Sequence, residues 1–278
     1  MKQRVFFYML ISTLSFSLMN FGVKYLSYLN SFQLIFFRSI GTFLICSTLI
    51  RYKKIPYFGN NKKILLARGI LGFIAMSLFF LALKFLNLGT AVALRYIAPI
   101  YATLFALFIL KEPVEKKQWV YFIVAYAGVL ILQGFDSSMS TIGLILIMIG
   151  AMFSGLVFMI IRYIKQSENS LVIVNYFMGI SVIISGVISF FYWIPPLKEH
   201  WVLLFALGIL GFFGQFFMTK SLQMATAIYV SPMKYIEVIF SLILGVSFFK
   251  EVYTLESLIG LSLILIGLFA NLFVKKRP

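Results

Sequence analysis

Gly69-Ile70-Leu71-Gly72-Phe73 returns 139 residues later as Gly208-Ile209-Leu210-Gly211-Phe212. At the same interval Arg95-Tyr96-Ile97 returns as Lys234-Tyr235-Ile236, and Lys111-Glu112 as Lys250-Glu251. Residues 69–128 overlay 208–267 without a gap, with twelve identities in sixty positions. Two greasy segments match that often by chance, so the weight falls on the order and content of the matches, above all a base over a base. A duplicated membrane chain with cations in matching helices implies a solute site at the interface of the repeats.

Composition fixes the solvent. Of the 278 residues, 62% are apolar and 12% charged, and the mean hydropathy is +1.02. Water-soluble domains carry about 25% charge, so this chain belongs in lipid. Its apolar runs are continuous and of helical length, roughly 17–25 residues, rather than the alternating ~10-residue segments of a barrel. The sequence predicts ten spans near 5–25, 31–50, 64–84, 89–110, 117–133, 141–162, 171–193, 201–222, 227–249 and 254–274. The expected fold is an all-α membrane protein of ten transmembrane helices in two inverted five-helix repeats, residues 1–135 and 140–278. Five spans per repeat is an odd number, so the second repeat enters the membrane from the opposite face. Gly134–Ser140 reads as the linker.

The net charge of +16 is mostly topology. With the N-terminus in the cytoplasm, sixteen of the twenty-four basic residues fall on the cytoplasmic side, Arg68, Lys111, Arg162, Lys165 and Lys275–Arg277 among them. The far side holds Lys24, Lys84, Lys198 and Lys250. This asymmetry places both termini in the cytoplasm and the protein in the inner (cytoplasmic) membrane. Lys2 and Arg4 before an apolar stretch resemble a signal peptide, but the run is too long and lacks a cleavage site, so it reads as a membrane helix.

Ala91, Arg95, Ala98, Ala102 and Ala106 lie on one face of the fourth span, and Val230, Lys234, Glu237, Ser241 and Gly245 on the matching face of the ninth. Close helix approach in lipid is one explanation of the small residues. A lined cavity is the other, and it alone accounts for the charges. Setting loops aside, Arg38, Arg95, Lys220, Lys234 and Glu237 remain within spans. A charge at the bilayer centre costs roughly 2.5–3.5 kcal/mol even on the lenient scale, so such groups face a partner or a cavity. Lys234 and Glu237, spaced i,i+3, can neutralise one another. Lys220 and Arg38 can snorkel. Arg95 has no acid on its own helix. A net positive, partly dry chamber favours an anion-bearing solute, and Arg can hold a carboxylate with two parallel hydrogen bonds.

The expected solute-binding set is therefore Arg38, Arg95, Tyr96, Lys234, Tyr235, Glu237, Asn20 and Gln215, with Glu237 also the candidate for a coupling proton. Tyr101 and Asn175 are further polar or aromatic groups within spans, each explicable by packing or interhelical hydrogen bonds. Enzyme readings lack material. His200 is the sole imidazole and Cys46 the sole thiol, and no nucleophile elbow, phosphate loop or zinc motif occurs. No cofactor or metal is expected. The expected partners are a small organic solute, lipid and a coupling proton, with a homodimer left open and nucleic acid excluded.

Ala98-Pro99-Ile100-Tyr101 through Leu110-Lys111-Glu112-Pro113, the acids Glu112 and Glu251 closing the fourth and ninth spans, Arg68-Gly69 opening the third, and Phe36-Phe37-Arg38 in the second resemble EamA-type members of the drug/metabolite transporter superfamily. The resemblance covers essentially the whole chain. It implies a ten-helix inverted-repeat carrier of amino acids or related carboxylate-bearing metabolites, working by alternating access. Pro232 through Glu237 is similar to a segment of S-adenosylmethionine uptake carriers, where Arg stands in place of Lys234; uptake of that or a nucleotide-like metabolite is the alternative. The rival of another class is a structural or signalling membrane protein with no flux.

Overall fold

The computed structural model describes residues 2–110, 115–135, 140–164, 167–224 and 234–272. These form α1 (Lys2–Tyr25), α2 (Ser31–Tyr52), α3 (Lys62–Ala82), α4 (Leu88–Arg95), α5 (Ala98–Leu110), α6 (Lys116–Phe135), α7 (Thr141–Ile164), α8 (Ser170–Phe191), a 3₁₀ turn (Lys198–His200), α9 (Trp201–Met224), α10 (Ile236–Phe249) and α11 (Leu255–Leu272). No strand occurs among the described residues. Helices are what lipid allows, because each backbone group must find its partner inside the segment. Asn30, Asn61 and Asn169 start α2, α3 and α8, each accepting a backbone N–H of its first turn, which satisfies one of the orphan donors there.

Among the described residues seven helical runs are long and apolar enough to cross a membrane: α1, α2, α3, the run from Leu88 to Ile109, α7, α8, and α9 with its preceding turn. The shorter apolar helices span Ile236–Phe249 and Leu255–Asn271. The protein is thus a multi-pass membrane protein, and the expected ten spans are met in part. Lys111, Glu112, Pro113, Asp136, Lys165, Val230, Pro232, Met233 and Lys275–Arg277 lie outside the described residues, as do the side chains of Ala106 and Arg162.

The fourth span is not one straight helix. α4 ends at Arg95 and α5 starts at Ala98, and between them Tyr96 and Ile97 donate to Ala93 and Leu94, three residues back. Pro99 explains the break: it has no N–H to donate to the Arg95 carbonyl, and its ring disfavours helical backbone at Ala98. The five-residue face expected along one helix is therefore split just after its arginine. At the matching place Lys234 is helical, Tyr235 forms a turn and α10 begins at Ile236.

The main packing pairs are α6 with α11, α2 with α8, α1 with α9, α3 with α7, α2 with α9, α5 with α7 and α3 with α8, and α4 packs on α10. Each joins an element before residue 136 to one after 139. Glycine makes the closest crossings. A Cβ placed on Gly41 of α2 would stand 2.7 Å from the Gly208 Cα of α9, and Thr42 Oγ1 donates to the Gly208 carbonyl beside it at 2.9 Å. A Cβ on Gly155 of α7 would meet Tyr101 Cβ at 2.7 Å and the Ala102 nitrogen at 2.9 Å. Close approach thus accounts for Ala98 and Ala102. It does not account for Arg95.

α4 is clamped lengthwise along α10. At one end Leu88 N donates to Glu251 at 2.8 Å, Tyr253 Oη donates to the same carboxylate at 2.6 Å, and Lys24 reaches it from α1 at 2.5 Å. At the other end Arg95 meets Glu237. Glu251 thereby sits on the helix N-terminus, where free N–H groups and the dipole favour an anion.

Candidate functional site

Where α4 breaks, the chain encloses a cavity of about 110 Å³ between the two halves. Four bases and one acid line it: Arg38 from α2, Arg68 from α3, Arg95 from α4, Lys234 just before α10, and Glu237 in the first turn of α10. The rest of the wall is mainly aromatic and thioether, including Phe16, Phe79, Phe80, Phe158, Phe177, Met19 and Met76. The break delivers the charges. It turns the backbone so that Arg95 and Tyr96, neighbours in sequence, both reach Glu237.

Glu237 is the hub. Arg95 Nη2 donates to Oε1 at 2.5 Å and Asn20 Nδ2 to the same oxygen at 2.9 Å. Tyr96 Oη donates to Oε2, and Ser17 Oγ reaches the Glu237 carbonyl at 3.3 Å. The glutamate is 1% exposed; a carboxylate in such a place needs this set of donors to hold its charge. Tyr235 stands outside the cavity wall, edge-on to Tyr96 with ring centroids 5.8 Å apart. Arg95 also lies over the Phe79 ring, 4.3 Å from guanidinium carbon to centroid.

The i,i+3 neutralisation of Lys234 by Glu237 is not what the structure contains. Glu237 pairs with Arg95 across the repeats, while Lys234 stands over the Phe158 ring at 4.3 Å. Arg38 does not snorkel. It is buried, donates to the sulfurs of Met19 and Met76, and faces Phe80 and Phe177 at 5.9 and 6.0 Å. Gln215 lines the wall and bonds within its own helix to Thr219. Lys220 lies off the cavity, against Tyr8 and Phe216. Asn175 is also elsewhere, accepting from Ser47 at 2.9 Å.

Arg68 is the residue that sequence reading missed. Counted there with the cytoplasmic bases, it is 1% exposed and lines the cavity. Its guanidinium lies over Phe177 at 4.3 Å, and its Nε and Nη1 are buried without a hydrogen-bond partner among the described residues. Gly72, one turn on, makes this possible, since a Cβ there would stand 2.7 Å from Nη1. The i,i+4 pair of Arg and Gly was the available signal. Cation–π contact is worth about 0.5–2 kcal/mol, whereas burying an ion costs several kcal/mol. Rings alone do not offset the charge of Arg68 or Arg38, and neither has a carboxylate partner among the described residues.

Comparison with known proteins now bears on this geometry. The chain is 27% identical over 270 residues to the pseudopaline exporter CntI of Pseudomonas aeruginosa, covering 96% of this chain and 95% of that protein. It is 25% identical over 249 residues to the S-adenosylmethionine uptake transporter of Rickettsia prowazekii (87% and 83% covered). Human solute carrier family 35 member G1 is 26% identical over 268 residues (89% and 73%). One crystal structure, 15% identical, superposes with a TM-score of 0.71 over 98% of this chain and 97% of that one, which shows a common fold alone. These relatives are transporters, a class that carries solutes rather than converting them, and their small-molecule cargo and lipid surroundings come with the class. The profile of the EamA-like transporter family matches twice, over residues 3–133 and 141–273, so the chain belongs to that family of the drug/metabolite transporter superfamily.

Proposed function

We propose that the protein is an alternating-access carrier of the inner membrane that moves a small carboxylate-bearing metabolite, with both termini in the cytoplasm. Its two halves, residues 1–135 and 140–278, act as inverted repeats. Several packing pairs support this, because exchanging the halves turns one into another: α1 with α9 becomes α7 with α3, α2 with α9 becomes α8 with α3, and α5 with α7 becomes α10 with α1. The observation that carries the reading is the buried Arg95–Glu237 pair spanning the halves inside a cavity with Arg38, Arg68 and Lys234. Discontinuous helices at matched positions, with charged groups at the breaks, are how such carriers build a midplane site.

In this reading Arg38, Arg68 and Lys234 draw the anionic end of the solute, and Glu237 takes its ammonium group or a coupling proton. Asn20, Tyr96 and Tyr235 hold Glu237 in place, and Gln215 offers a neutral contact. About 110 Å³ is below the ~300–1,000 Å³ of ordinary ligand sites, so the lining helices part to admit solute. S-adenosylmethionine is the weaker candidate, because its sulfonium makes it net cationic and the cavity already holds an excess of bases.

The test is uptake by proteoliposomes of labelled amino acids and organic acids. Arg95→Gln and Lys234→Gln are expected to lose uptake. Glu237→Gln keeps solute exchange if the carboxylate only carries a proton, and loses both exchange and uptake if it binds solute. Unchanged flux in all three variants would refute the site. A purely structural membrane protein predicts no labelling at Ala98→Cys or Ser241→Cys in a Cys46→Ser background; a carrier predicts labelling there by a small hydrophilic thiol reagent.

A further inference from the structure

The bases of the cavity are not equivalent. Arg95 is spoken for: its guanidinium is bonded to Glu237, whose remaining lone pairs take Asn20 and Tyr96. Arg38 and Arg68 come from different helices, α2 and α3, and converge on one ring, Phe177, at 6.0 and 4.3 Å. Arg38 spends its donors on two thioethers, the weakest acceptors in the side-chain inventory. Arg68 leaves Nε and Nη1 without a hydrogen-bond partner among the described residues, while being 1% exposed. A buried guanidinium with open donors is complementary to an acid group, which charge-assisted hydrogen bonds hold strongly. The notch at Gly72 that admits the guanidinium is shared with the edge of the Phe177 ring, 3.0 Å from where a Cβ would stand.

We infer that Arg38 and Arg68 form an acid-binding subsite separate from the Arg95–Glu237 pair, and that the solute is an amino acid with a second carboxylate. This rests on the cavity being the solute site. One carboxylate docks between Arg38 and Arg68 against Phe177. The ammonium goes to Glu237, and the other carboxylate to Lys234 or to the Arg95 that the ammonium displaces. With four bases to one acid in the wall, a solute with one net negative charge leaves the filled cavity nearer neutrality than a zwitterion does. The aromatic faces then enclose a complex of lower net charge, which lowers the cost of moving it across a low-dielectric layer.

Paired probes test the charge requirement: aspartate against asparagine, glutamate against glutamine, each as competitor of uptake and as thermal stabiliser of the purified full-length protein. The acid of each pair is expected to compete better than its amide by on the order of tenfold or more, the weight of a charge-assisted hydrogen bond. Arg68→Gln and Arg38→Gln are expected to level acid and amide, and a monodisperse elution profile with a cooperative thermal transition shows that each variant is folded. Equal competition by acid and amide in the wild type, discrimination that survives both substitutions, or stabilisation by inorganic phosphate with none by any diacid would each overturn the subsite. Absence of uptake for every solute would instead overturn the transport reading beneath it, and this inference with it.

Discussion

Replacing Glu237 and Arg95, singly and together, probes the ion pair that joins the two halves at the cavity. The two groups meet at 2.5 Å with side-chain exposures of 21% for Arg95 and 1% for Glu237, so solvent screens the pair only on the arginine side. At an effective dielectric near 20, opposite charges about 4 Å apart attract by ~4 kcal/mol. Removing one partner of a buried pair costs roughly 3–5 kcal/mol because the other charge is stranded. Glu237→Gln sits at the lower end, since its amide oxygen still accepts from Asn20 or Tyr96, and about 3 kcal/mol is expected. Arg95→Gln leaves the carboxylate with two neutral donors and costs about 2–3 kcal/mol. The double variant strands nothing. Its loss should fall short of the summed single losses by about 2 kcal/mol, the coupling energy. Denaturant titration in detergent micelles, followed by tryptophan fluorescence, measures all four corners. Coupling below about 0.5 kcal/mol, the limit for independent sites, would refute the pairing that organises the cavity.

Gly208→Val drives a branched side chain into the Gly41 backbone, where even a Cβ stands 2.7 Å away; destabilisation of about 1–3 kcal/mol or more is expected in the same titration. Gly72→Ala needs the Arg68 guanidinium to move, its Nη1 being 2.7 Å from the new methyl, so competition by glutamate should weaken while that by glutamine holds. Lys24→Met breaks the 2.5 Å contact with Glu251 and strands a carboxylate that is 5% exposed, predicting faster thiol labelling of Thr90→Cys on α4 in a Cys46→Ser background. Labelling at the wild-type rate would mean that Lys24 does not hold that end.

Much of the cavity's charged lining was legible because a duplication marks the same place twice. The overlay of Arg95-Tyr96-Ile97 on Lys234-Tyr235-Ile236 picked out the two places where the helices break, and Glu237 and Asn20 followed as polar groups with no business in lipid. The partner of Glu237 was not legible. Spacing along one helix suggested Lys234, but Arg95 reaches it only because the chain turns at Tyr96, and the turn depends on Pro99. Arg68 was hidden for a different reason. Lys62 and Lys63 precede it, so it reads as the last of a basic cluster at a membrane surface; only the missing side chain at Gly72 sends it inward. The ring of contacts on Glu251 was invisible as well, since it joins α1, α4 and the end of α10 across 163 to 227 residues of chain.

The eight residues of α4 are tied to α10 at both ends, by Glu251 at Leu88 and by Glu237 at Arg95. Such a short rod turns as a unit, since it has too few residues to bend. In the proposed carrier, an ammonium that won Glu237 would untie one knot and leave the other fast, so the rod would pivot about Leu88 instead of drifting free. Loading would then be the trigger for the swing: an empty protein would stay latched, and leakage of small ions through a vacant carrier would be held down by the same carboxylate that the proposal gives to the cargo.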